Sequence, residues 1–217
     1  MNPRRVLFRG FNPRGDVRIA RHHLPHWTQP GATYFVTFRL GDSVPATLLN
    51  EWREERETWL RWHPEPWSCE VEAEYRERFT ERQEAWLDAG FGECHLRRAD
   101  IRAQLGGHVT HFDGVRYDHD AWVLMPNHVH ALITPRGGHH LFDLLKGIKG
   151  TSARTCNRLL GRTGCTFWME DSYNRIVRDA EELMALRAYI AANPSVANLR
   201  EGEFTLVMNV VLEIQAG

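Results

Sequence analysis

The chain has 217 residues and a mass of 25.2 kDa, a length that fits one domain with an embellishment or two small domains. No apolar stretch approaches the length of a membrane span, and the Arg-rich start lacks a signal-peptide core. We therefore expect no membrane partner and a cytoplasmic protein. The four cysteines show no CxxC spacing, which argues against a disulfide framework or a structural zinc site.

The net charge of −1 hides a strong segregation of charge along the chain. Residues 1–40 carry a balance of +6, residues 51–88 a balance of −6, and residues 136–178 a balance of +5. Two basic blocks separated by an acidic one are compatible with nucleic-acid binding. A solvated surface with clustered signs explains the same pattern without any partner.

The first part of the chain predicts an arm, a strand and two helices. Residues 1–30, rich in Arg, Pro and Gly, are interpreted as a basic N-terminal arm. Residues 32–40 are aromatic and β-branched, which predicts a strand. One helix is expected to begin at Pro45, and a second, highly charged helix is expected over residues 70–87. Together they form an acidic helical insertion over residues 45–90 or so.

The middle of the chain predicts another helix, followed by strands. A helix over residues 97–105 is expected to end at Gly106 and Gly107, because glycine weakens helices. Residues 109–117 and 121–125 are then expected to be strands, and a third strand should follow the break after residue 125.

The last part of the chain predicts two helices and a tail. The first of these helices has an apolar stripe, and four basic side chains lie outside it: Lys146, Lys149, Arg154 and Arg158. Asp179 with Glu182 predicts a capping box that starts the second helix. This helix is expected to end near Asn193, because Pro194 disfavours helix in the residue before it. Residues 204–217 are interpreted as a C-terminal tail.

A histidine, any residue and a second histidine follow one another at residues 128–130. Side chains alternate along a strand, so His128 and His130 should share one face of the sheet. Two imidazoles about 6–7 Å apart on a rigid strand can close on one divalent metal ion. A pair of ordinary, half-exposed strand histidines is the alternative interpretation.

Tyr189 and Asn193 lie four residues apart on the predicted last helix, so they share one helix face. A tyrosine packed near the end of a helix explains this spacing by itself. The combination with the two histidines and the basic helix is more informative than any of the three features alone.

Four segments, in order, resemble the REP-associated tyrosine transposases, which belong to the single-tyrosine HUH transposases, the insertion-sequence-200-like family. These segments are residues 23–40, 125–130, 171–179 and 189–194. The resemblance runs from about residue 22 to residue 203, and the acidic insertion is its loosest part.

The resemblance implies a ferredoxin-like α+β fold, with an antiparallel sheet and helices on one face, in a transposase domain over residues 31–203. It implies that Tyr189 cleaves and rejoins single-stranded DNA with hairpin (palindromic) ends through a covalent 5′-phosphotyrosine. His128, His130 and Asn193 would hold the metal ion. Mg²⁺ or Mn²⁺ is expected rather than Zn²⁺, because phosphate oxygens and waters must complete its shell.

Basic side chains near these motifs are expected to bind DNA phosphates: Lys146, Lys149, Arg154, Arg158, Arg175 and Arg178. The protein is expected to act as a monomer or a homodimer. Two other functions stay open from the sequence. One is a domesticated DNA-binding protein that has lost cleavage, and the other is a metal-dependent phosphodiesterase that uses water, with Tyr189 in a structural role.

Overall fold

The computed structural model describes residues 5–16, 18–21, 25–64 and 67–215. Its strands are β1 (Arg5–Arg9), β2 (Arg18–Arg21), β3 (Pro25–Thr28), β4 (Tyr34–Arg39), β5 (Tyr117–Leu124), β6 (His128–Pro135), β7 (Tyr173–Ile176), β8 (Thr205–Met208) and β9 (Val210–Gln215). Its α-helices are α1 (Ala46–Trp62), α2 (Cys69–Tyr75), α3 (Arg82–Asp88), α4 (Ala99–Thr110), α5 (Leu141–Leu159) and α6 (Ala180–Val196). A π-helical turn (Arg76–Glu81) joins α2 to α3, and a 3₁₀ turn (His95–Arg97) precedes α4.

The centre of the fold is a five-stranded sheet with the order β7-β4-β6-β5-β8, whose neighbouring strands are all antiparallel. The strand with the two histidines, β6, lies in the middle, and all eight of its residues are buried. The strand predicted over residues 32–40 is found as β4, beside β6. These findings confirm the predicted α+β class with an antiparallel sheet.

Helices cover both faces of this sheet, whereas the resemblance implied helices on one face. Helices α4 and α5 pack with Val36 and Ala131 in one hydrophobic cluster, while α6 packs with Phe35 and Leu132 in another. The physical reason lies in the strands, because neighbouring residues of β4 and β6 are apolar on both sides of the pleat. Both faces therefore need a covering layer.

Helix α4 runs through Gly106 and Gly107, so the predicted end of this helix and the strand predicted over residues 109–117 are both wrong. Two glycines weaken a helix by about 1 kcal/mol each relative to alanine. Burial of the apolar residues on both sides of the pair, including Val109, opposes this cost. A Cβ added at Gly106 would lie 3.9 Å from Trp122, an ordinary van der Waals distance, so α4 packs against β5 here.

Helix α6 also continues past its predicted end and includes Pro194 in its last turn. The Asn193 carbonyl accepts from the amide of Ala197 at 3.0 Å, and the Pro194 carbonyl accepts from the amide of Leu199 at 2.9 Å. A proline in the last turn of a helix removes only one amide donor, and the helix keeps the hydrogen bonds on either side of it. The predicted cap at the other end is confirmed, because the Asp179 carboxylate accepts from the Glu182 amide at 2.8 Å.

The acidic helical insertion, comprising α1, α2, the π-helical turn and α3, has a hydrophobic cluster of its own. Phe79 is fully buried, with its ring centroid 6.1 Å from Trp52 and 5.7 Å from Trp59. Glu55 accepts from both Arg78 and Arg82 at 2.7 Å. The tryptophans at its centre pack as a small core.

The two ends of the chain meet beside the central sheet. Strand β1 pairs in parallel with β9, and β8 forms one edge of the central sheet. Strands β2 and β3 pair with each other. Residues 1–4, 17 and 22–24 of the predicted arm and residues 216–217 of the predicted tail lie outside the described residues. The proposed division into arm, domain and tail stays a prediction. No helix in the described ranges is long and apolar enough to cross a membrane.

Candidate active site

The two histidines of β6 lie side by side on the face of the sheet that α6 covers. His130 is paired with Thr37 of β4 and His128 with Arg39, so these four side chains share one face. The two imidazole centroids are 4.6 Å apart, and each histidine is only 1% exposed. The half-exposed, ordinary strand histidines of the alternative interpretation are therefore not what the structure contains.

Hydrogen bonds fix both rings through their Nδ1 atoms. The Nδ1 of His130 lies 2.7 Å from Thr37 Oγ1, and the Nδ1 of His128 lies 2.8 Å from Asn127 Oδ1. Asn127 uses its Nδ2 to donate to the carbonyls of Leu87 and Phe91, at 3.2 Å each, so its oxygen faces His128. His128 Nδ1 is then the donor, which leaves the Nε2 lone pair available for a ligand.

Helix α6 brings Tyr189 and Asn193 to the same place. The Tyr189 hydroxyl lies 3.4 Å from His130 Nε2, and the two rings have centroids 5.2 Å apart. His128 Nε2 and Asn193 Oδ1 are buried and form no hydrogen bond within the part of the chain that the structure describes. Buried polar atoms without a partner are rare in folded proteins, and a role as metal ligands would satisfy both of them.

Burial keeps both imidazoles neutral. It lowers the pKa of His128 to about 3, with a further contribution from the nearby Arg39 guanidinium. The Asn193 amide lies close enough to the His128 ring to offset part of this lowering, although outside hydrogen-bond geometry. Burial and the neighbouring His128 lower the pKa of His130 well below its ordinary value. Neutral imidazoles are the form that binds a metal ion.

The surroundings of Tyr189 raise the pKa of its hydroxyl instead of lowering it. Burial raises the pKa of Tyr189, and the nearby Glu84 carboxylate raises it further. The hydroxyl is therefore protonated at neutral pH. Tyr173, the other tyrosine of this region, has its pKa raised to about 12 by burial.

Side chains of His128, His130 and Asn193 fit a divalent ion by their donor chemistry. Two neutral imidazole nitrogens and one amide oxygen leave other positions of such an ion for waters and phosphate oxygens. Across the described ranges, no three His, Cys, Asp or Glu side chains form a cluster that could hold a metal ion. The Asn193 oxygen is then the third protein donor that this arrangement offers.

The basic residues predicted to bind DNA do not join the histidine cluster. Lys146, Arg154 and Arg158 are exposed on α5, which lies on the opposite face of the sheet. Lys149 donates to the Glu170 carbonyl at 2.7 Å and to Ser172 Oγ at 3.0 Å, and burial lowers its pKa to about 8.

Two further basic residues predicted to bind DNA share one acidic partner. Arg175 pairs with Glu182 at 2.6 Å, and Arg178 lies 3.4 Å from the same carboxylate. Their role in DNA binding, like that of the α5 residues, stays a prediction.

Two charged residues at the site were missed by the sequence reasoning. Arg39 lies beside His128, and burial, followed by Arg53, lowers its pKa to about 10. Strand alternation from Phe35 could have placed Arg39 on the histidine face, once β4 and β6 were known to be neighbours. Glu84 comes from α3 of the acidic insertion and lies beside Tyr189. No local pattern in the sequence points to that contact.

Part of the chain is similar to a known protein family. Residues 113–193 match the family model described as "Transposase IS200 like". A solved structure of a REP-associated tyrosine transposase bound to a REP hairpin is similar at 14% identity and a TM-score of 0.39, over 82% of this chain and 72% of that chain. No significant match was found among curated protein sequences.

The family match covers the two histidines, the basic helix, Tyr189 and Asn193, and so includes every site residue predicted from the sequence, whereas Arg39 and Glu84 lie outside it. Residues 113–193, which are 81 of the 217 residues, are therefore similar to the IS200-like transposase family, in agreement with the resemblance seen in the sequence.

Proposed function

We propose that this protein is a metal-dependent transposase that cleaves and rejoins single-stranded DNA through a covalent 5′-phosphotyrosine. The IS200-like family match supports a DNA transposase. The observation that carries the finer proposal is the convergence of the two histidines, Asn193 and Tyr189, whose hydroxyl lies 3.4 Å from His130 Nε2. One rigid strand and one helix deliver all four side chains, which is the preorganisation that catalysis needs.

His128 Nε2, His130 Nε2 and Asn193 Oδ1 would hold Mg²⁺ or Mn²⁺. When bound, the ion would neutralise charge on the phosphate and on the leaving 3′ oxygen. The partners of the two Nδ1 atoms, Thr37 and Asn127, keep both rings turned so that their Nε2 atoms face the same space. The histidines need no proton loss to act as ligands, because burial already keeps them neutral.

Tyr189 is the nucleophile in this proposal. Its Oη would bond to phosphorus as the bond from phosphorus to the 3′ oxygen breaks, which leaves the 5′ phosphate on the protein and a free 3′ hydroxyl on the DNA. The tyrosine proton leaves as the new bond forms, and the departing 3′ oxygen takes up a proton. The phosphotyrosine keeps the bond energy, so the reverse attack by a 3′ hydroxyl rejoins DNA without another energy source.

Arg39 supplies positive charge next to the proposed metal position. It lies opposite His128, and burial of its side chain makes its charge more effective toward a phosphate than a fully exposed charge would be. The exposed basic residues of α5 would hold the remaining DNA backbone, a contact that carries little sequence information. The hairpin-bearing substrate follows from the sequence resemblance to the REP-associated enzymes.

A single experiment separates this proposal from the two alternatives. Labelled single-stranded hairpin DNA is incubated with the protein and Mg²⁺ or Mn²⁺, with a chelator as control, and the products are run on a denaturing gel. We expect a metal-dependent covalent adduct that peptide mapping assigns to Tyr189. Cleavage without an adduct would support the water-using phosphodiesterase, and binding without cleavage would support the domesticated DNA-binding protein.

A further inference from the structure

The acidic helical insertion is fastened directly to the histidine strand. Asn127, 1% exposed, bridges the two regions: its Nδ2 donates to Leu87 at the end of α3 and to Phe91 just after it, while its Oδ1 accepts from His128. The Glu93 amide also donates to the Asp42 carboxylate at 2.9 Å. The end of α3 therefore has a fixed position relative to β6.

This attachment places one face of α3 against the tyrosine. Glu84 and Asp88 are four residues apart on α3 and share that face. The half-buried Glu84 carboxyl lies near the Tyr189 hydroxyl, although outside ordinary hydrogen-bond geometry in this structure, and it is close to Arg175 and Tyr173. Glu84 thus stands where α6, β7 and the insertion converge.

The hydroxyl of Tyr189 needs such a neighbour once the metal ligands are engaged. In the structure it is near His130 Nε2 at 3.4 Å and near the Asn193 amide. A nitrogen lone pair that binds a metal ion cannot also accept a hydrogen bond from the phenol. The carboxyl of Glu84 has no part in that ligand set, so it remains free to accept from Tyr189 Oη.

We propose that the acidic helical insertion forms one wall of the active site, and that Glu84 is a positioning residue that holds the Tyr189 hydroxyl by a hydrogen bond. The hydrogen bond directs the hydroxyl proton toward α3 and leaves an oxygen lone pair facing the phosphate. This inference rests on the proposed function, because it assigns Tyr189 as the nucleophile. Burial, followed by Asp88, raises the pKa of Glu84 to about 7, as expected for a carboxyl enclosed between packed elements.

The first test measures the rate of adduct formation at saturating hairpin DNA and Mn²⁺. A hydrogen bond to a charged group contributes enough that Glu84→Ala should slow the adduct by about tenfold or more. Glu84→Gln should recover part of the rate, since its amide oxygen still accepts. Hairpin affinity and Mn²⁺ affinity should not change. Glu77→Ala, which removes an exposed acid of the same insertion, is the matched control and should behave as the wild type.

A wild-type rate for Glu84→Ala would overturn the inference. An equal loss of rate in Glu84→Gln and Glu84→Ala, accompanied by weaker Mn²⁺ binding, would also overturn it by making Glu84 a metal ligand.

The second test needs no activity at all, so it separates this inference from the proposed function. Equilibrium unfolding is measured in saturating Mn²⁺ for the wild type, Glu84→Ala, Tyr189→Phe and the double variant. If the two side chains are hydrogen-bonded, the effect of Glu84→Ala on the unfolding constant should differ by about fivefold or more between the wild-type background and the Tyr189→Phe background. An equal effect of Glu84→Ala in both backgrounds would contradict the hydrogen bond between Glu84 and Tyr189, whether or not the wild-type protein cleaves DNA. Absence of an adduct in the wild type would count against the proposed function alone.

Discussion

The histidine strand and the acidic insertion differ in how their polar side chains are hydrogen-bonded. At the strand, His128 Nε2 and Asn193 Oδ1 are buried without a hydrogen bond in the described structure. In the insertion, Glu55 accepts from two arginines, and Trp59 Nε1 donates to Glu74 at 2.8 Å. The buried Arg82 Nε has no partner in the described structure, but it belongs to a guanidinium whose Nη2 donates to Glu55. Satisfied groups stabilise a fold, while buried groups without a hydrogen bond cost stability and are rare. Two such atoms beside Tyr189 support the proposed site at the strand, whereas most polar groups of the insertion have a structural role.

Glu84 is the exception that connects the two regions. It belongs to the insertion by sequence, but its carboxyl lies near Tyr189 of the proposed site. The surface ion pairs elsewhere in the insertion, with side chains about one third to two thirds exposed, contribute little individually. The insertion therefore influences the site through position, by placing α3, more than through its overall negative charge.

The largest effect is expected at the proposed nucleophile, Tyr189. Tyr189→Phe should abolish the protein–DNA adduct completely, because loss of the hydroxyl removes the covalent route. Tyr173→Phe is the matched control: it lies on β7 near the same carboxylate and should still form the adduct. Adduct yield on a denaturing gel is the measurement. Mapping of the adduct to residue 173, or to a serine, would contradict the assignment.

The proposed metal ligands come next in expected effect. His128→Ala should reduce metal-dependent cleavage below detection, because it removes a buried donor whose Nε2 has no other described role. The variant should stay folded and bind hairpin DNA, as measured by circular dichroism and gel shift. Cleavage at the wild-type level, or cleavage that survives a chelator, would show that the ion is held elsewhere.

Much of the proposed site could be predicted from the periodicity of single strands and helices. The two-residue repeat of a strand puts His128 and His130 on one face, and the four-residue spacing puts Tyr189 and Asn193 on another. These relations need only the local backbone. The cap at Asp179 is local in the same sense, and the structure confirms it.

Contacts between distant segments could not be predicted in this way. The pairing of Arg39 with His128 depends on β4 and β6 being neighbours, and the contact of Glu84 with Tyr189 depends on how α3 docks. Local breakers also misled the prediction at Gly106 and at Pro194. In both places, packing and hydrogen bonds from elsewhere in the fold outweigh a weak local preference.

The core of the insertion offers the next test, because it asks whether the two regions unfold together. Phe79→Ala should destabilise the protein by about 3–5 kcal/mol, as expected for a fully buried aromatic ring. Urea unfolding measures the change, and hydrogen exchange locates it. We expect lost protection in α1, α2 and α3 with little change in β6. Trp62→Ala, at a position 78% exposed, should be nearly neutral. Equal loss of protection in β6 would make strand and insertion one cooperative unit.

A smaller effect is expected from the exposed cations of α5, on the side of the sheet away from the histidines. Each phosphate contact on single-stranded DNA contributes about −0.7 to the slope of log affinity against log salt. Replacing Lys146, Arg154 and Arg158 by alanine should therefore flatten that slope by about 2. Lys149 is left intact, because it already bonds to Glu170 and Ser172. An unchanged slope would place the DNA path on another surface, such as the basic N-terminal arm.

The smallest expected effect is on stability against pH, and it tests the residue that joins the two regions. Burial and Asp88 raise the pKa of Glu84 to about 7 in the folded protein, from an ordinary value of 4.5. The folded state then holds this proton more tightly than the unfolded state. The contribution of Glu84 to stability is therefore full below about pH 4.5 and is lost as the pH rises through 7.

Between pH 5 and pH 7.5 the unfolding free energy of the wild type should fall relative to that of Glu84→Gln, which cannot ionise. One pKa unit corresponds to about 1.4 kcal/mol. Partial exposure of the Glu84 side chain screens the effect, so we expect a relative change of about 1 kcal/mol. Glu77→Gln is the control, because the same substitution at an exposed acid of the insertion should leave the pH profile parallel to that of the wild type. Subtracting the profiles removes the contribution of the buried histidines, whose lowered pKa values act in the opposite direction. If the wild-type and Glu84→Gln profiles are parallel, Glu84 ionises as freely in the folded protein as in the unfolded chain, and α3 does not enclose its carboxyl against Tyr189.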